Sequence, residues 1–414
     1  MRRPANALQM FACLALFCVA ALAPYRFAAS ALAAPTAPRL ECSAAVPYRG
    51  GRMHAPPDSG VWSRAARSID DTLGATPARH LNAELDTLLT LTRSPGITAA
   101  VGIPGRGHWS AHRGLARSKP RRELTEDSQF YWASAGKSFT AVIVLQLVQE
   151  GRLSLADSIA RWFPDFPNAR VITIDHLLTH TGGVNSQRQP TEWHRHLGYR
   201  SPEAFIASAA MGGSEFCPGE NWNYSNAGYV MLARIVEQLE RRPFHEVVTA
   251  RIVEPLGLRA THALAPREKW PQLVTGHQGG RPETRFDRTT PFGAGNIAAT
   301  AGDLVIFWHA VLSGRLLRGP TVRAAFDRLY PMFSDPMFYG RGVMLFEVAD
   351  GARHSTWLGH AGGAHGARAV VAYDVERDLY VAVALNDEGS AVAAAYRLLK
   401  AANEIRDLRG DARD

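Results

Sequence analysis

The sequence predicts a mixed α/β protein in which one sheet domain is assembled from both ends of the chain and is split by a mainly helical insertion. Three observations predict it. Strand-like runs lie near both ends, within residues 97–115 and 341–385. Between them, from Ser154 to about Tyr330, the pattern is mainly helical. Helix-patterned segments at Ala78–Arg93 and at about Ser390–Ile405 flank the strand runs, so two helices can pack on the shared sheet. Composition allows this: 46% hydrophobic and 20% charged residues over 414 positions leave enough apolar material for a real core. No internal repeat or low-complexity block interrupts the chain.

Taken in order, residues 1–33 read as a secretory signal. Arg2 and Arg3 form a basic start, Ala7–Ala23 is apolar, and Ala31-Leu32-Ala33 is a small-residue cleavage site. The apolar stretch is short and is followed by Pro24 and Arg26, which favours cleavage; if retained, the segment would be a membrane anchor. The expected location is therefore periplasmic or secreted. Residues 34–77 read as an extended lead rich in Pro, Ala, Gly and Ser.

Residues 78–125 and 335–414 are expected to form the split sheet domain, and residues 126–334 the helical one. In Ala78–Arg93, Leu81, Leu85, Leu88 and Leu89 share one face. Ile97–Ile103 and His108–Leu115 read as strands joined through Pro104-Gly105. Ser154 and Ser201 are N-cap signals. Tyr229–Leu239, Phe244–Leu256 and Leu304–Leu312 have helical spacing. Arg341–Val348, Arg368–Tyr373 and Leu379–Leu385 read as strands.

The chain has 46 Lys+Arg against 38 Asp+Glu, nearly all the cations are arginine, and no basic run exceeds two residues. A mildly basic exported protein accounts for this, and no nucleic-acid patch is expected. Cys13 and Cys18 leave with the signal. Cys42 and Cys217 remain and, in an oxidising compartment, either bridge or stand as two separate thiols; spacing alone leaves both open.

Chemistry concentrates in three stretches. In Tyr131-Trp132-Ala133-Ser134-Ala135-Gly136-Lys137, a hydroxyl and an amine stand three residues apart at the start of an almost unbroken apolar run, Ala141–Val148. Residues i and i+3 share a helix face, so Lys137 can take the Ser134 proton, and free N–H groups at the helix start favour developing negative charge. The alternative is a serine that only caps a helix. Lysine is rare, at 119, 137, 269 and 400, which makes an accidental Ser-x-x-Lys match uncommon. Gly136-Lys137-Ser138 is not a phosphate-binding loop, because that loop needs glycine where Tyr131 stands.

The second stretch, Cys217 to Asn226, is a loop entering a helix. There Tyr224 could shuttle the serine proton and Asn226 hold a substrate amide, unless the pair only packs and caps. The third is Gly359-His360-Ala361-Gly362-Gly363-Ala364-His365-Gly366, before the strand at Arg368. Glycines there allow close approach, and a backbone N–H could complete an oxyanion hole with that of Ser134; the alternative is a turn that only bends the chain. No metal is expected: no ligand set completes His360 and His365, and His194 and His196 are remote in sequence. Gly293–Ala298 lacks the preceding strand of a dinucleotide site, and no Gly-x-Ser-x-Gly elbow occurs.

Together and in this order, Ser134-Ala135-Gly136-Lys137, Tyr224-Ser225-Asn226 and His360-Ala361-Gly362 resemble the motifs of the serine β-lactamase and penicillin-binding family. The resemblance is to the branch with class C β-lactamases, D-alanyl-D-alanine carboxypeptidases and esterases. Gly151–Asp157, Leu177–Gly183 and Gly293–Asp303 match too, and the resemblance covers roughly residues 80–405. It implies a β-lactamase/transpeptidase-like fold, an antiparallel sheet flanked by helices beside a helical domain, with no metal or organic cofactor. It further implies that Ser134 attacks a carbonyl to form an acyl-enzyme. Lys137 and Tyr224 would move protons, Asn226, His360 and Gly362 would bind substrate, and Ser134 with Gly363 would supply the oxyanion N–H groups. The implied partner is a small-molecule or cell-wall peptide substrate. Two departures stand out. His360 replaces the usual Lys and Ala361 the usual Thr or Ser, so a peptidase or esterase is expected rather than an efficient β-lactamase. His360 would titrate near neutrality and grip a substrate carboxylate only as pH falls, with Arg368 as the competing cation.

Overall fold

The computed structural model describes residues 40–185, 197–333 and 336–407. The expected signal with its cleavage site, and His194 and His196, lie outside the described residues. Nine strands form one antiparallel sheet: β1 Gly96–Ile103, β2 Gly107–Arg117, β3 Arg122–Glu123, β4 Tyr330–Pro331, β5 Met337–Tyr339, β6 Met344–Asp350, β7 Arg353–Ala364, β8 Ala367–Asp374 and β9 Leu379–Leu385. Their spatial order is β3-β2-β1-β9-β8-β7-β6-β5-β4. The two ends of the chain meet at the β1–β9 ladder, where Ala99 faces Val383 and Val101 faces Val381. Every β1 residue is buried, so the strand reads as a continuous apolar run rather than an alternating one.

The sheet is covered on both faces, and side-chain parity decides which residue serves which face. On one face, helices α1 (Ala75–Thr92) and α7 (Ala391–Asp407) pack through Leu81, Leu85, Leu88, Leu398 and Leu399 onto Ala99, Val101, Val381 and Val383. On the other, Ala100, Ala382 and Ala384 meet the helical layer. That layer holds α2 (Lys137–Gln149), α3 (Ile174–Thr179), α4 (Pro202–Met211), α5 (Asn226–Glu240) and α6 (Ala301–Leu312). Helix α2 buries ten of its residues, Lys137 among them, as its all-round apolar pattern requires. Ser201, Ser225 and Thr300 cap their helices by accepting from the N–H of Ala204, Gly228 and Asp303.

Three local expectations are corrected. Ser154 starts no helix: its N–H donates to Asp157 Oδ2 (2.8 Å) and its hydroxyl accepts from Ala156 N–H, closing a turn instead. Phe244–Leu256 is not one regular helix, because a π turn at Thr249–Val253 interrupts it. Arg341 lies before its strand, in a turn where it pairs with Asp175 and Asp327 at 2.5 Å. The glycine-rich stretch at 359–364 is the second half of β7, paired with β8 over Trp357–Ala364, which sets aside the alternative of a turn that only bends the chain. The sheet also takes in Tyr330–Pro331, which sequence pattern leaves with the helical stretch.

Cys42 and Cys217 are bonded, with Cα atoms 5.7 Å apart across 175 positions of sequence. Backbone bonds from Val46 N–H to Pro218 O (2.9 Å) and from Arg49 N–H to Glu220 O (2.8 Å) extend the clamp. The lead thus braces the loop that delivers Tyr224. Cys42→Ser is expected to lower stability by up to about 5 kcal/mol, since the bond closes a long loop in the unfolded chain. Calorimetric melting of the wild type with and without reductant checks it, and an unchanged Tm would count against the brace.

Candidate active site

Trp132 and the short strand Phe130–Tyr131 lead into a tight 3-10 turn, Ala133–Gly136, on which Ser134 sits; α2 begins only at Lys137. Ala133 holds φ at +45°, a conformation costly for a residue with a Cβ and one that collects at functional turns. Ser134 is half-buried inside a run of otherwise enclosed residues, so its hydroxyl stays reachable while the backbone around it is fixed.

Lys137 is fully enclosed. Its Nζ lies 2.7 Å from Asn226 Oδ1, 2.7 Å from Ala294 O and 3.3 Å from Ser134 Oγ. Burial holds its pKa well below the usual lysine range. A neutral amine has two hydrogens and one lone pair. In the neutral form that burial favours, the two strong acceptors would take the hydrogens and leave the lone pair for the Ser134 O–H. That is a serine poised beside a base. The same Nζ lies over the Tyr224 ring, 4.6 Å from its centroid, so the aromatic face packs against the amine.

The glycine-rich half of β7 closes the site. Beyond the Gly359–Met344 pair, β7 has no strand partner on its β6 side among the described residues and runs past the Ser134 turn instead. A Cβ on Gly362 would stand 2.0 Å from Trp132 O and 3.1 Å from Ser134 N, so only glycine permits this approach. Ala361 N–H points away from β8, toward Met344 Sδ (3.4 Å). Strand parity turns Gly363 N–H the same way, toward the side on which Ser134 lies. The two N–H groups expected to form an oxyanion hole are thus on facing elements.

His360 is where the structure overturns the sequence reading. The ring is completely buried. Nδ1 donates to Ala361 O (2.7 Å), and Nε2 accepts from the Tyr339 hydroxyl (3.1 Å). Burial first, and then the neighbouring Lys137, push its pKa down to about 3. With both nitrogens engaged and no charge at neutral pH, it cannot grip a carboxylate by gaining a proton near pH 6–7. Arg368 is spoken for as well: it donates to Ala364 O and Ala367 O and lies 3.7 Å from Glu388. The ratio of kcat/KM for carboxylate-bearing and neutral substrates is therefore expected to stay flat from about pH 8 to 6. A rise in that ratio on acidification, lost in His360→Gln, would restore the titrating role. Asn226 also differs from expectation, because its Oδ1 serves Lys137 and only its amide N–H₂ is left for a substrate.

Two participants had no role assigned from sequence. The Ala294 carbonyl belongs to a stretch dismissed as a nucleotide fingerprint, yet it fixes Lys137 from 157 positions away. His180, in a left-handed conformation at the end of α3, accepts Ser225 N–H on Nδ1 (3.1 Å), and its ring lies 4.5 Å from Tyr224. Its backbone position and ring orient the loop that carries Tyr224. The hint in sequence is the family-like stretch Leu177–Gly183, a histidine-glycine punctuation after an apolar run. Among the described residues no cluster of His, Cys, Asp and Glu could hold a metal.

The family model described as Beta-lactamase matches residues 81–404. The chain belongs to the beta-lactamase family. Within it, the chain is 31% identical over 239 residues to esterase EstB of Burkholderia gladioli, a match covering 53% of this chain and 60% of that one. It is 30% identical over 209 residues to penicillin-binding protein 4 of Amycolatopsis lactamdurans, covering 48% and 53%. These matches span little more than half the length of the curated relatives. Among solved structures, the D-amino acid amidase of Ochrobactrum anthropi SV3 shares the fold, with a TM-score of 0.71 and 24% identity over 80% of this chain and 100% of that one. In this beta-lactamase-family chain, the serine, lysine, tyrosine and glycine motifs come from four separate elements and meet at one point.

Proposed function

We propose that the protein is an exported serine hydrolase that cleaves an amide or ester through an acyl-enzyme on Ser134, acting as a peptidase or esterase on a small-molecule or cell-wall peptide substrate. One observation carries the reading: a buried Lys137, its pKa held well below the usual lysine range by burial, whose Nζ lies within hydrogen-bond reach of Asn226 Oδ1, Ala294 O and Ser134 Oγ.

In the proposed sequence, the Ser134 proton passes to Lys137 Nζ as Oγ bonds to the substrate carbonyl carbon. The carbonyl oxygen becomes an oxyanion and takes the N–H groups of Ser134 and Gly363. Its collapse breaks the C–N or C–O bond, and the leaving group takes the proton from Lys137, directly or through Tyr224. Water then repeats the steps against the acyl-enzyme. These steps draw on no metal or organic cofactor.

The Cys42–Cys217 bond supports an oxidising, exported location. Ala361, which lacks a hydroxyl, and the neutral His360 support peptidase or esterase action over efficient β-lactam turnover. The test is a panel of a penicillin, a D-Ala-D-Ala peptide and a nitrophenyl ester, read by mass spectrometry for an adduct on Ser134 and by product release. Turnover of the peptide or ester with a transient Ser134 adduct is expected. A binding module without catalysis would give no adduct and no product from any of the three.

A further inference from the structure

Beside the nucleophile turn lies a second feature that the chemistry above does not use. A cavity of about 340 Å³ is lined by Leu264, Trp270, Leu273, Phe286 and Arg288, among others. It adjoins the reacting centre: Tyr131 and Ala133, which lead into Ser134, share one apolar cluster with Leu264, Trp270, Leu273, Phe286 and Ala364. Ala364 directly follows Gly363 on β7. This apolar cluster is the link between the Ser134–Gly363 pair and the cavity, whose own lining includes neither residue.

Two lining residues carry an enclosed donor without an acceptor among the described residues, Arg288 Nε–H and Trp270 Nε1–H, and the Tyr131 hydroxyl, on a ring packed behind them, is a third. The Arg288 guanidinium lies 5.8 Å from the Tyr131 ring centroid, and that ring meets Phe286 at 6.1 Å. Burial keeps Tyr131 protonated, as a donor. Burial first works against the Arg288 charge, while Tyr131, Glu283 and Asp287 favour it, and the neighbouring acids each have another partner. Glu283 is held by Arg285 at 2.9 Å, Asp287 accepts from the N–H and hydroxyl of Thr289, and Glu268 lies 3.7 Å from His245. Buried donors without acceptors are rare and costly, so such a group calls for an acceptor-rich occupant.

The geometry points to a specificity subsite for a substrate arm that joins an apolar, ring-sized body to a carboxylate. The rings of Trp270 and Phe286 take the body, and Arg288, aided by the Trp270 and Tyr131 donors, takes the anion. This deepens the hydrolase reading, and it supplies the permanent cation that neither His360 nor Arg368 provides.

The test needs no turnover, so its failure and that of the hydrolase reading are distinguishable. Ser134→Ala protein is titrated calorimetrically with 3-phenylpropionate and with its neutral amide, 3-phenylpropanamide. The acid is expected to bind roughly tenfold or more tightly than the amide, as a charge-assisted bond predicts. Adding Arg288→Gln should erase that preference, and Arg288→Lys should keep part of it. A second readout needs no change at Arg288: 3-phenylpropionate, and not the amide, should protect Arg288 from phenylglyoxal in peptide mass maps. Equal affinity for acid and amide, a preference that survives Arg288→Gln, or no protection overturns the assignment.

Discussion

Ser134→Ala is expected to abolish turnover, with a loss on the order of 10⁵- to 10⁶-fold in kcat, because a nucleophile and its base act as a unit. Lys137→Met should cost nearly as much. Lys137→Arg should not rescue it: a guanidinium remains protonated in proteins and so has no lone pair to accept the serine proton. Both lysine variants belong in the experiment, since Met removes the amine without adding charge and Arg places a fixed cation where burial disfavours one. The pH dependence follows with its sign. Burial lowers the Lys137 pKa, so the base form persists into a pH range where an exposed lysine would be protonated. Activity is then present above the lowered pKa and is lost as pH falls through it. In Lys137→Met the small residual rate should lack that acid limb. A serine-directed phosphonate, followed by peptide mapping, identifies the nucleophile independently. Label on another serine, or turnover surviving in Ser134→Ala, would sink the mechanism.

Gly362→Ala is expected to cost about 10²- to 10³-fold in kcat, the scale seen when an oxyanion donor is displaced. The added methyl would stand 2.0 Å from Trp132 O and 3.1 Å from Ser134 N. Either β7 or the nucleophile turn must retreat, and both carry a donor of the proposed oxyanion hole. A Gly74→Ala variant is the control, because a Cβ there meets nothing within 4 Å. Steady-state kinetics beside thermal melting separates the two consequences of the clash. A fall in kcat larger than the loss of Tm explains places the contact at the reacting centre. Wild-type kcat in Gly362→Ala would mean that strand and turn do not meet as described.

Much of this was legible in the sequence, and particular residues explain why. The i,i+3 spacing of Ser134 and Lys137 is a local rule of helix geometry, and it brought hydroxyl and amine together although Ser134 turned out to lie in a 3-10 turn. Leu81, Leu85 and Leu88 fixed the sheet-facing side of α1 by periodicity alone. Leu379–Leu385 was readable as a strand because seven apolar residues between turns have few other homes. Local reading failed where two local rules compete. Ser154 carries a cap signal, but Asp157 bonds to its backbone first. The glycines at 359–363 signal a turn equally well as a strand pressed against another backbone.

What the sequence by itself determined was thus the Ser134–Lys137 pair proposed as nucleophile and base, the main strands and helices, and the family. Only the tertiary structure decided the charge states and the partners. Ala294 and Asn226 are 157 and 89 positions from Lys137, yet they consume its hydrogens. His360 looked like a titrating group at neutral pH until burial and its neighbours pushed its pKa to about 3. The pairing of Cys42 with Cys217 was one of two readings until the fold brought their Cα atoms to 5.7 Å. The physical reason is one of range. Periodicity and capping act over a few residues and are written in order along the chain. Desolvation and hydrogen-bond satisfaction depend on which distant segments crowd one point, and no stretch of sequence records that.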